Sequence, residues 1–174
     1  PLADELGRAV ARFHAGAPLR PQGGGGRALK FTIDSNAHLL RELAPRLGVE
    51  RVETLIAATE AEFGRRAALL DARAVGGFAR HCHGDLHLGN ILLEDGRPIL
   101  FDCIEFNEPF RFTDVYADTG FLAMDPEDRG LKCLARRFIS QYLELTGDYQ
   151  GLEVLNFYKA YRALVRAKVA LFSM

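Results

Sequence analysis

Apolar side chains recur at every third or fourth position over the first part of the chain, which is the spacing of a helix face. This stripe predicts a first helix over Leu2–His14 and a long helix over Val52–Arg73. Between them, Ser35 predicts the N-cap of another helix, which Pro45 bends or ends. The run Gly23–Gly26 predicts a linker, because no Gly-Lys-Ser/Thr sequence follows it as a phosphate-binding loop requires.

The pattern changes to short apolar runs beyond Gly76-Gly77. Phe78–Cys82 predicts a short strand. Two further runs, Asn90–Leu93 and Pro98–Phe101, flank the dipeptide Asp95-Gly96. This dipeptide favours a tight hairpin turn, because glycine tolerates a positive φ.

The helical pattern returns at Thr113 and continues to the end of the sequence, with breaks near Pro126 and over Gly147–Gly151. The sequence therefore predicts an α+β fold that is mostly helical and carries one small β-hairpin. At 174 residues, 48% of them apolar, the chain suits one domain with a sizeable core. Basic residues interrupt the apolar stretch Leu152–Met174, so we interpret it as a core helix and not as a membrane span.

Charge and cysteine content disfavour several classes of protein. The net charge of −1 gives no general attraction to nucleic acid or to an anionic membrane, so we predict neither as a partner. Cys82, Cys103 and Cys133 are odd in number and irregularly spaced, which disfavours a disulfide scaffold. We therefore predict a cytoplasmic location, where thiols stay reduced.

The densest cluster of polar side chains runs from His81 to Asn90, and Asp102 follows the second predicted hairpin strand. Mg²⁺ prefers oxygen ligands and keeps several waters, so one Asn and one Asp, together with substrate phosphates, can hold it. A further carboxylate can accept the proton of an attacking hydroxyl. Asp85 and Asn90 have four residues between them, which is the spacing of the kinase catalytic loop.

A zinc site is a second interpretation of the same segment. Alternate positions of an extended segment share a face, and imidazole and carboxylate groups are zinc ligands. The spacing has one residue too many for the usual metallo-hydrolase run, and Cys82 or Cys103 could add a ligand. The candidate ligands are His81, His83, Asp85 and His87.

Acidic residues farther along the chain allow two interpretations. They could form an acidic rim for a cationic substrate such as an aminoglycoside. We favour a solvated face with carboxylates at helix N-termini, where the helix dipole stabilises them. These residues are Glu105, Glu108, Asp114 and Asp125.

The sequence resembles one known family at the residues of the polar cluster. His83–Asn90 (His-Gly-Asp-Leu-His-Leu-Gly-Asn), followed by Ile99–Asp102, resembles the signature of the aminoglycoside phosphotransferase and choline kinase superfamily. Cys103–Asn107 and Asp114–Asp118 resemble a bacterial subgroup that is often fused to a P-loop kinase domain. Leu6–His14 resembles the helix that follows the hinge in that family. The resemblance spans most of the chain, and residues 20 to 75 are its least diagnostic part.

The resemblance implies a role for each matching residue. Asp85 is implied as the catalytic base or as the carboxylate that orients the attacking hydroxyl. Asn90 and Asp102 are implied to hold Mg²⁺ between the phosphates of ATP. His83 is implied as the structural histidine of this cofactor-binding loop.

Two further residues are implied to support the loop. Asp118 matches the aspartate that braces the catalytic loop, although Thr119-Gly120 replace the Leu-Ala of the family. His87 is expected to bond to the backbone of the loop or to face the substrate cleft. The lysines of the chain lie in helical or linker patterns, whereas such kinases place a strand lysine on the nucleotide phosphates. We therefore interpret residues 1–174 as the C-terminal, catalytic lobe, with the N-terminal nucleotide-binding lobe absent from this chain.

The expected function is ATP-dependent transfer of the γ-phosphoryl group to a hydroxyl of a small molecule such as an aminoglycoside, a sugar or an amino alcohol. Mg²⁺ is the expected metal, and the expected partners are ATP, the acceptor and a fused or separate P-loop kinase domain. The chain alone is expected to be inefficient. A non-catalytic kinase-like scaffold is the alternative, and a zinc-dependent hydrolase is a weaker one.

Overall fold

The structure is a computed structural model that describes residues 2–20, 23–106 and 108–172. Within these ranges, helices dominate and strands are short. The α-helices are α1 (Leu2–Gly16), α2 (Gly26–Leu47), α3 (Val49–Arg73), α4 (Glu108–Arg111), α5 (Val115–Asp128), α6 (Lys132–Thr146) and α7 (Leu152–Phe172). The strands are β1 (Ala79–His81), β2 (Ile91–Glu94), β3 (Arg97–Leu100) and β4 (Phe112–Asp114). Single helical turns cover Ala74–Phe78, Leu88–Asn90 and Tyr149–Gly151.

The first and third helices confirm the predicted helices, and α3 begins at Val49 rather than at Val52. The predicted N-cap at Ser35 is wrong, because α2 already begins at Gly26. The Gly26 N–H donates a 2.7 Å hydrogen bond to Oδ1 of Asp71 on α3. An acceptor 45 residues away thus satisfies a free donor of the first helical turn, and local sequence gives no sign of it.

The predicted hairpin is confirmed as β2 and β3, which pair antiparallel from Ile91 opposite Leu100 to Glu94 opposite Arg97. Asp95 and Gly96 turn the chain with φ angles of 49° and 74°, the left-handed values that a tight hairpin turn requires.

A second antiparallel pair joins β1 to β4, with Ala79 opposite Asp114 and His81 opposite Phe112. The strand β1 confirms the prediction for Phe78–Cys82 in shorter form. Thr113 lies in β4, so the last helical part of the chain begins after Asp114 and not at Thr113. The pairing carries the chain from β1 directly into the polar segment identified above.

The main hydrophobic core lies among α1, α5, α6 and α7. Buried rings of Tyr116, Tyr142 and Tyr158 are at its centre, and Phe157 and Tyr161 also belong to it, as predicted for α7. A smaller cluster of apolar residues joins α2 to α3. Among the described residues, none of the helices combines the length and the apolar character that crossing a membrane requires.

The buried guanidinium of Arg73, at the end of α3, ties three parts of the fold together. It donates to Asp114 at 2.6 and 3.0 Å and to Asp148 at 2.8 and 2.7 Å. Burial alone would lower the pKa of Arg73, but the hydrogen bonds to Asp148 and Asp114 raise it above its ordinary value. Asp114 also accepts from the Tyr116 N–H and so caps α5. This ion pair anchors β4, and with it the strand that leads into the polar loop.

Candidate active site

The polar loop runs from β1 to β2, and buried His83 fixes its first half. The Asp85 N–H donates to His83 Nδ1 at 3.3 Å, and His83 Nε2 lies 2.8 Å from the Phe101 carbonyl oxygen. An acceptor at Nδ1 and a donor at Nε2 define a neutral imidazole with its proton on Nε2. The side chain therefore connects the loop to the end of β3.

Asp118, a buried carboxylate on α5, holds the same part of the loop from the interior of the fold. Asp118 accepts from the backbone N–H groups of His83, at 2.7 Å, and of Gly84, at 3.0 Å. His14 Nε2 donates to the same carboxylate at 3.3 Å, and the Tyr142 hydroxyl lies 2.9 Å from His14 Nδ1. Burial alone would raise the pKa of Asp118, but the hydrogen bond from His14 and the neighbouring positive charge lower it.

Sequence reasoning missed His14 as part of this site. It lies on α1, 104 residues before Asp118, and its sequence position showed only that it ends an apolar stripe. A histidine at the end of such a stripe is as often a core residue as part of a functional site. No local signal therefore identified its partner. The fold brings it beneath the loop by packing α1 against α6.

Asp85, His87 and Asn90 lie together in the second half of the loop. Asn90 Nδ2 donates to the Asp85 carbonyl oxygen at 2.9 Å and approaches Oδ2 of Asp85 at 3.5 Å. His87 Nδ1 accepts from the Gly89 N–H at 3.0 Å, and His87 Nε2 lies 3.6 Å from Oδ2 of Asp85. The Asp85 side chain remains 44% exposed, so a reactant can reach its carboxylate.

Asp102 directly follows Phe101, which extends the hairpin pairing by one residue opposite Asn90. The Phe101 N–H donates to the Asn90 carbonyl oxygen at 3.1 Å, and Asp102 follows with a φ of 59°. This left-handed backbone is uncommon outside glycine, and it turns the chain away from the strand. The Asp102 side chain is exposed.

The oxygen atoms that Asn90 and Asp102 offer as ligands fit Mg²⁺. The amide nitrogen of Asn90 is engaged by Asp85, which leaves its Oδ1 as a free acceptor. Within the described ranges, neither an ion pair nor a hydrogen bond occupies the Asp102 carboxylate. One amide oxygen and one carboxylate, completed by waters and phosphates, are the kind of ligands that Mg²⁺ takes in phosphoryl-transfer sites.

Two contacts from elsewhere complete the support of the loop. Asp125 accepts from the Leu88 N–H at 2.9 Å and from Arg166 Nη1 at 2.6 Å. Arg162 Nη2 donates to the Gly84 carbonyl oxygen at 2.8 Å. Arg166 thus takes part in a salt bridge, whereas Arg162 binds the backbone of the loop.

The interpretation of the acidic residues is corrected for two of them. Asp114 and Asp125 are buried, each in an ion pair with an arginine, and form neither an acidic rim nor a solvated face. The N-cap role expected at helix N-termini is present at Asp114. The side chain of Glu108 lies outside the described residues.

The zinc ligand set is not assembled. His81 stacks on Phe112 with ring centroids 4.6 Å apart, and both ring nitrogens of His83 are engaged within the loop. Among the described residues, the metal-ligating groups that converge are His14, Cys82 and Asp118, all buried. His14 and Asp118 already bond to each other, and Cys82 donates to the Thr113 carbonyl oxygen.

The fold and the loop define the class of protein as a kinase-like phosphotransferase. Residues 2–158 match the family described as the phosphotransferase enzyme family, and the chain belongs to this family. The resemblance inferred from the motif is thereby confirmed. A solved glucosamine kinase superimposes with a TM-score of 0.65 at 20% identity, over 95% of this chain and 48% of that chain. This likeness confirms the predicted α+β, kinase-like fold.

Relatives with similar sequences occur in mycobacteria. An uncharacterized protein of Mycobacterium tuberculosis and one of Mycobacterium bovis are each 32% identical over 170 residues, which is 95% of this chain. The chain spans about a third of the length of these relatives, 34% in each case. It therefore corresponds to one part of a longer chain in those proteins.

Proposed function

We propose that this chain is the catalytic, C-terminal lobe of a small-molecule kinase that transfers the γ-phosphoryl group of ATP to a hydroxyl. One observation carries the proposal: Asp85 and Asn90 are hydrogen-bonded within one loop, and Asp102 follows on the strand paired beside it. The family membership supports phosphoryl transfer as the reaction class. The particular acceptor is not given by the family.

Asp85 is the proposed base. Its carboxylate is half-exposed at the surface of the loop, and its backbone is held on both sides, by His83 and by Asn90. A fixed carboxylate can take or orient the proton of an attacking hydroxyl, which lowers the barrier mainly through positioning. His87, 3.6 Å from Asp85, is proposed to support its orientation.

Asn90 and Asp102 are the proposed ligands of Mg²⁺. When bound, the ion neutralises charge on the phosphates of ATP during transfer. The chain's own contribution is to hold the Asn90 amide in one orientation through the Asp85 carbonyl, and to fix Asp102 at the end of the hairpin. His83 and Asp118 are proposed to brace this arrangement from within the fold.

The proposal requires a nucleotide-binding lobe from the longer protein. Lys30, Lys132, Lys159 and Lys168 all lie in α-helices, and none of the described strands carries a lysine for the nucleotide phosphates. A fused P-loop kinase domain in the parent protein stays a prediction, as does the cytoplasmic location, where ATP is plentiful. Alone, this lobe is expected to turn over slowly.

The test is γ-phosphoryl transfer by the full-length parent protein with Mg-ATP and a panel of hydroxyl compounds. We expect Asp85→Asn to lower kcat by about 10²–10⁴-fold while the Kd for Mg-ATP changes little. Asp128→Asn, an exposed acid on α5, is the matched control and should behave as wild type. Equal turnover in Asp85→Asn would disprove the role of Asp85, and absence of both transfer and Mg-dependent ATP binding would favour the scaffold alternative.

A further inference from the structure

A cavity of about 330 Å³ opens directly beside Asp85, between α2, α7, β4 and the side chains of Ile104, Phe106 and Phe110. Its volume is at the small end of the range for small-molecule sites, which suits a molecule of about one sugar ring. Its polar lining includes Asp85, Thr32, Asn36, Tyr161, Arg162 and Lys168. A molecule bound there lies against the carboxylate proposed as the base.

The charges that line this cavity are mostly positive. Asp85 is the single carboxylate among the described residues of the lining, whereas Arg162 and Lys168 both contribute cations. The lysine Nζ donates to Asn36 Oδ1 at 2.8 Å, and Arg162 donates to the Gly84 carbonyl oxygen at 2.8 Å. Both of these hydrogen-bond partners are neutral, and among the described residues neither cation is in a direct ion pair with a carboxylate.

These two cations differ from the other two basic residues of the same helix, of which Lys159 is paired with Glu127 at 2.5 Å. Arg166 is already paired with buried Asp125 at 2.6 Å and is unavailable to a ligand. Arg162 has five N–H donors, and its Nε finds no partner among the described residues. Nε is buried and out of reach of a ligand, so the donors left for a carboxylate or a phosphate are the remaining terminal N–H groups of the guanidinium.

The opposite wall of the cavity is apolar and aromatic. It consists of Ile104, Phe106 and Phe110. Such a wall excludes water from one face of a ligand and strengthens the electrostatic contacts on the other. A polycationic ligand in this cavity would meet the like charges of Arg162 and Lys168, with the single carboxylate of Asp85 to offset them.

We propose that the acceptor is a small hydroxyl compound of about one ring that carries an anionic group. This inference rests on the proposed kinase function of the same site. The anionic group, a carboxylate or a phosphate, lies at Lys168 and Arg162, and the hydroxyl lies at Asp85. Aminoglycosides, which carry several positive charges, are poor acceptors for this site.

The test compares acceptors that share one ring and differ in charge. The full-length parent protein is assayed with Mg-ATP and glucose, glucosamine, glucuronate or glucose 6-phosphate, and with a three-ring aminoglycoside. We expect kcat/KM for one of the anionic sugars to exceed that for glucose and for glucosamine by at least about tenfold. The two anionic sugars distinguish a carboxylate site from a phosphate site.

Charge reversal tests the assignment to Lys168. In Lys168→Glu, the ratio of kcat/KM for the anionic sugar to that for glucosamine should fall by at least about tenfold, mainly through KM. Lys132→Glu makes the same change at the exposed start of α6, and this control should keep the wild-type ratio. Direct binding of the anionic sugars by calorimetry, in wild type and in Lys168→Glu, gives a readout that does not depend on turnover.

The outcomes separate this inference from the proposed function. Transfer that favours glucosamine or the aminoglycoside would overturn the anionic acceptor and leave the kinase function in place. Lys168-dependent binding of an anionic sugar without any transfer would support the anionic site and overturn the kinase function. If no anionic sugar is phosphorylated or bound, the inference is wrong.

Discussion

Asp118 accepts a 2.7 Å hydrogen bond from the backbone N–H of His83, so a carboxylate buried in α5 holds the start of the polar loop. The neighbouring N–H of Gly84 adds a second bond at 3.0 Å, and His14 adds a third contact from α1. Burying an ionised carboxylate costs free energy unless hydrogen-bond donors compensate it, as these three do. The position of Asp85, one residue beyond Gly84, thus depends on groups that never meet a substrate.

Replacing Asp118 by Asn should destabilise the protein. The amide has one acceptor oxygen in place of two, and its NH₂ would face the backbone N–H groups of His83 or Gly84. We expect Asp118→Asn to lower the free energy of unfolding by about 2–4 kcal/mol. Urea denaturation measures this change, with Asp128→Asn on the exposed end of the same helix as the control. A loss as small as that of the control would show that the loop does not depend on this carboxylate.

The same aspartate should make stability depend on pH. Its pKa in the folded state is lowered below the ordinary value of 3.8, so the ionised form favours folding. This contribution is fully present above the unfolded pKa and is lost as the pH falls through the folded pKa. The difference in unfolding free energy between wild type and Asp118→Asn should therefore be constant from about pH 6 to about pH 5 and shrink as the pH falls from there towards 3. A difference that stays constant down to about pH 3 would contradict the lowered pKa.

Replacing Arg73 should lower the free energy of unfolding more than replacing most other basic residues. Arg73→Met leaves Asp114 and Asp148 buried without their cation, and removing one partner of a buried ion pair costs about 3–5 kcal/mol. Thermal and urea unfolding measure the loss. Arg65→Met on the same helix removes a largely exposed guanidinium, with 64% of its side chain accessible, and should cost much less. Similar losses in both variants would disprove the central role of the ion pair.

Asp102 offers a matched test of the proposed metal site. Asp102 and Asp95 both have left-handed backbones, with φ angles of 59° and 49°, and asparagine tolerates this conformation. Asp102→Asn in the full-length protein should raise the Mg²⁺ concentration needed for half-maximal transfer by about tenfold or more, because a neutral amide binds the ion less tightly. Asp95→Asn, at the hairpin turn, should leave the Mg²⁺ dependence unchanged. An unchanged requirement in Asp102→Asn would remove Asp102 from the metal site.

The sequence by itself determined the features that depend on neighbouring residues. The hairpin followed from two apolar runs around Asp95-Gly96, and it appeared within one residue of the predicted positions. Asp85 and Asn90 are close in sequence and share one loop, so their spacing already brought them together. Helices α1 and α3 followed from their apolar stripes, because burying one face is a property of the segment itself.

Only the tertiary structure decided the contacts between distant segments. The start of α2 depends on Asp71, the bracing of the loop depends on His14, and β4 depends on the pairing of Arg73 with Asp114. Each of these contacts joins polar groups that lie 41 or more residues apart in the sequence. Such a group has to find a partner somewhere in the fold, but its own sequence neighbourhood does not say which one. The hydrophobic pattern fixes which faces are buried, and packing then selects which polar groups meet.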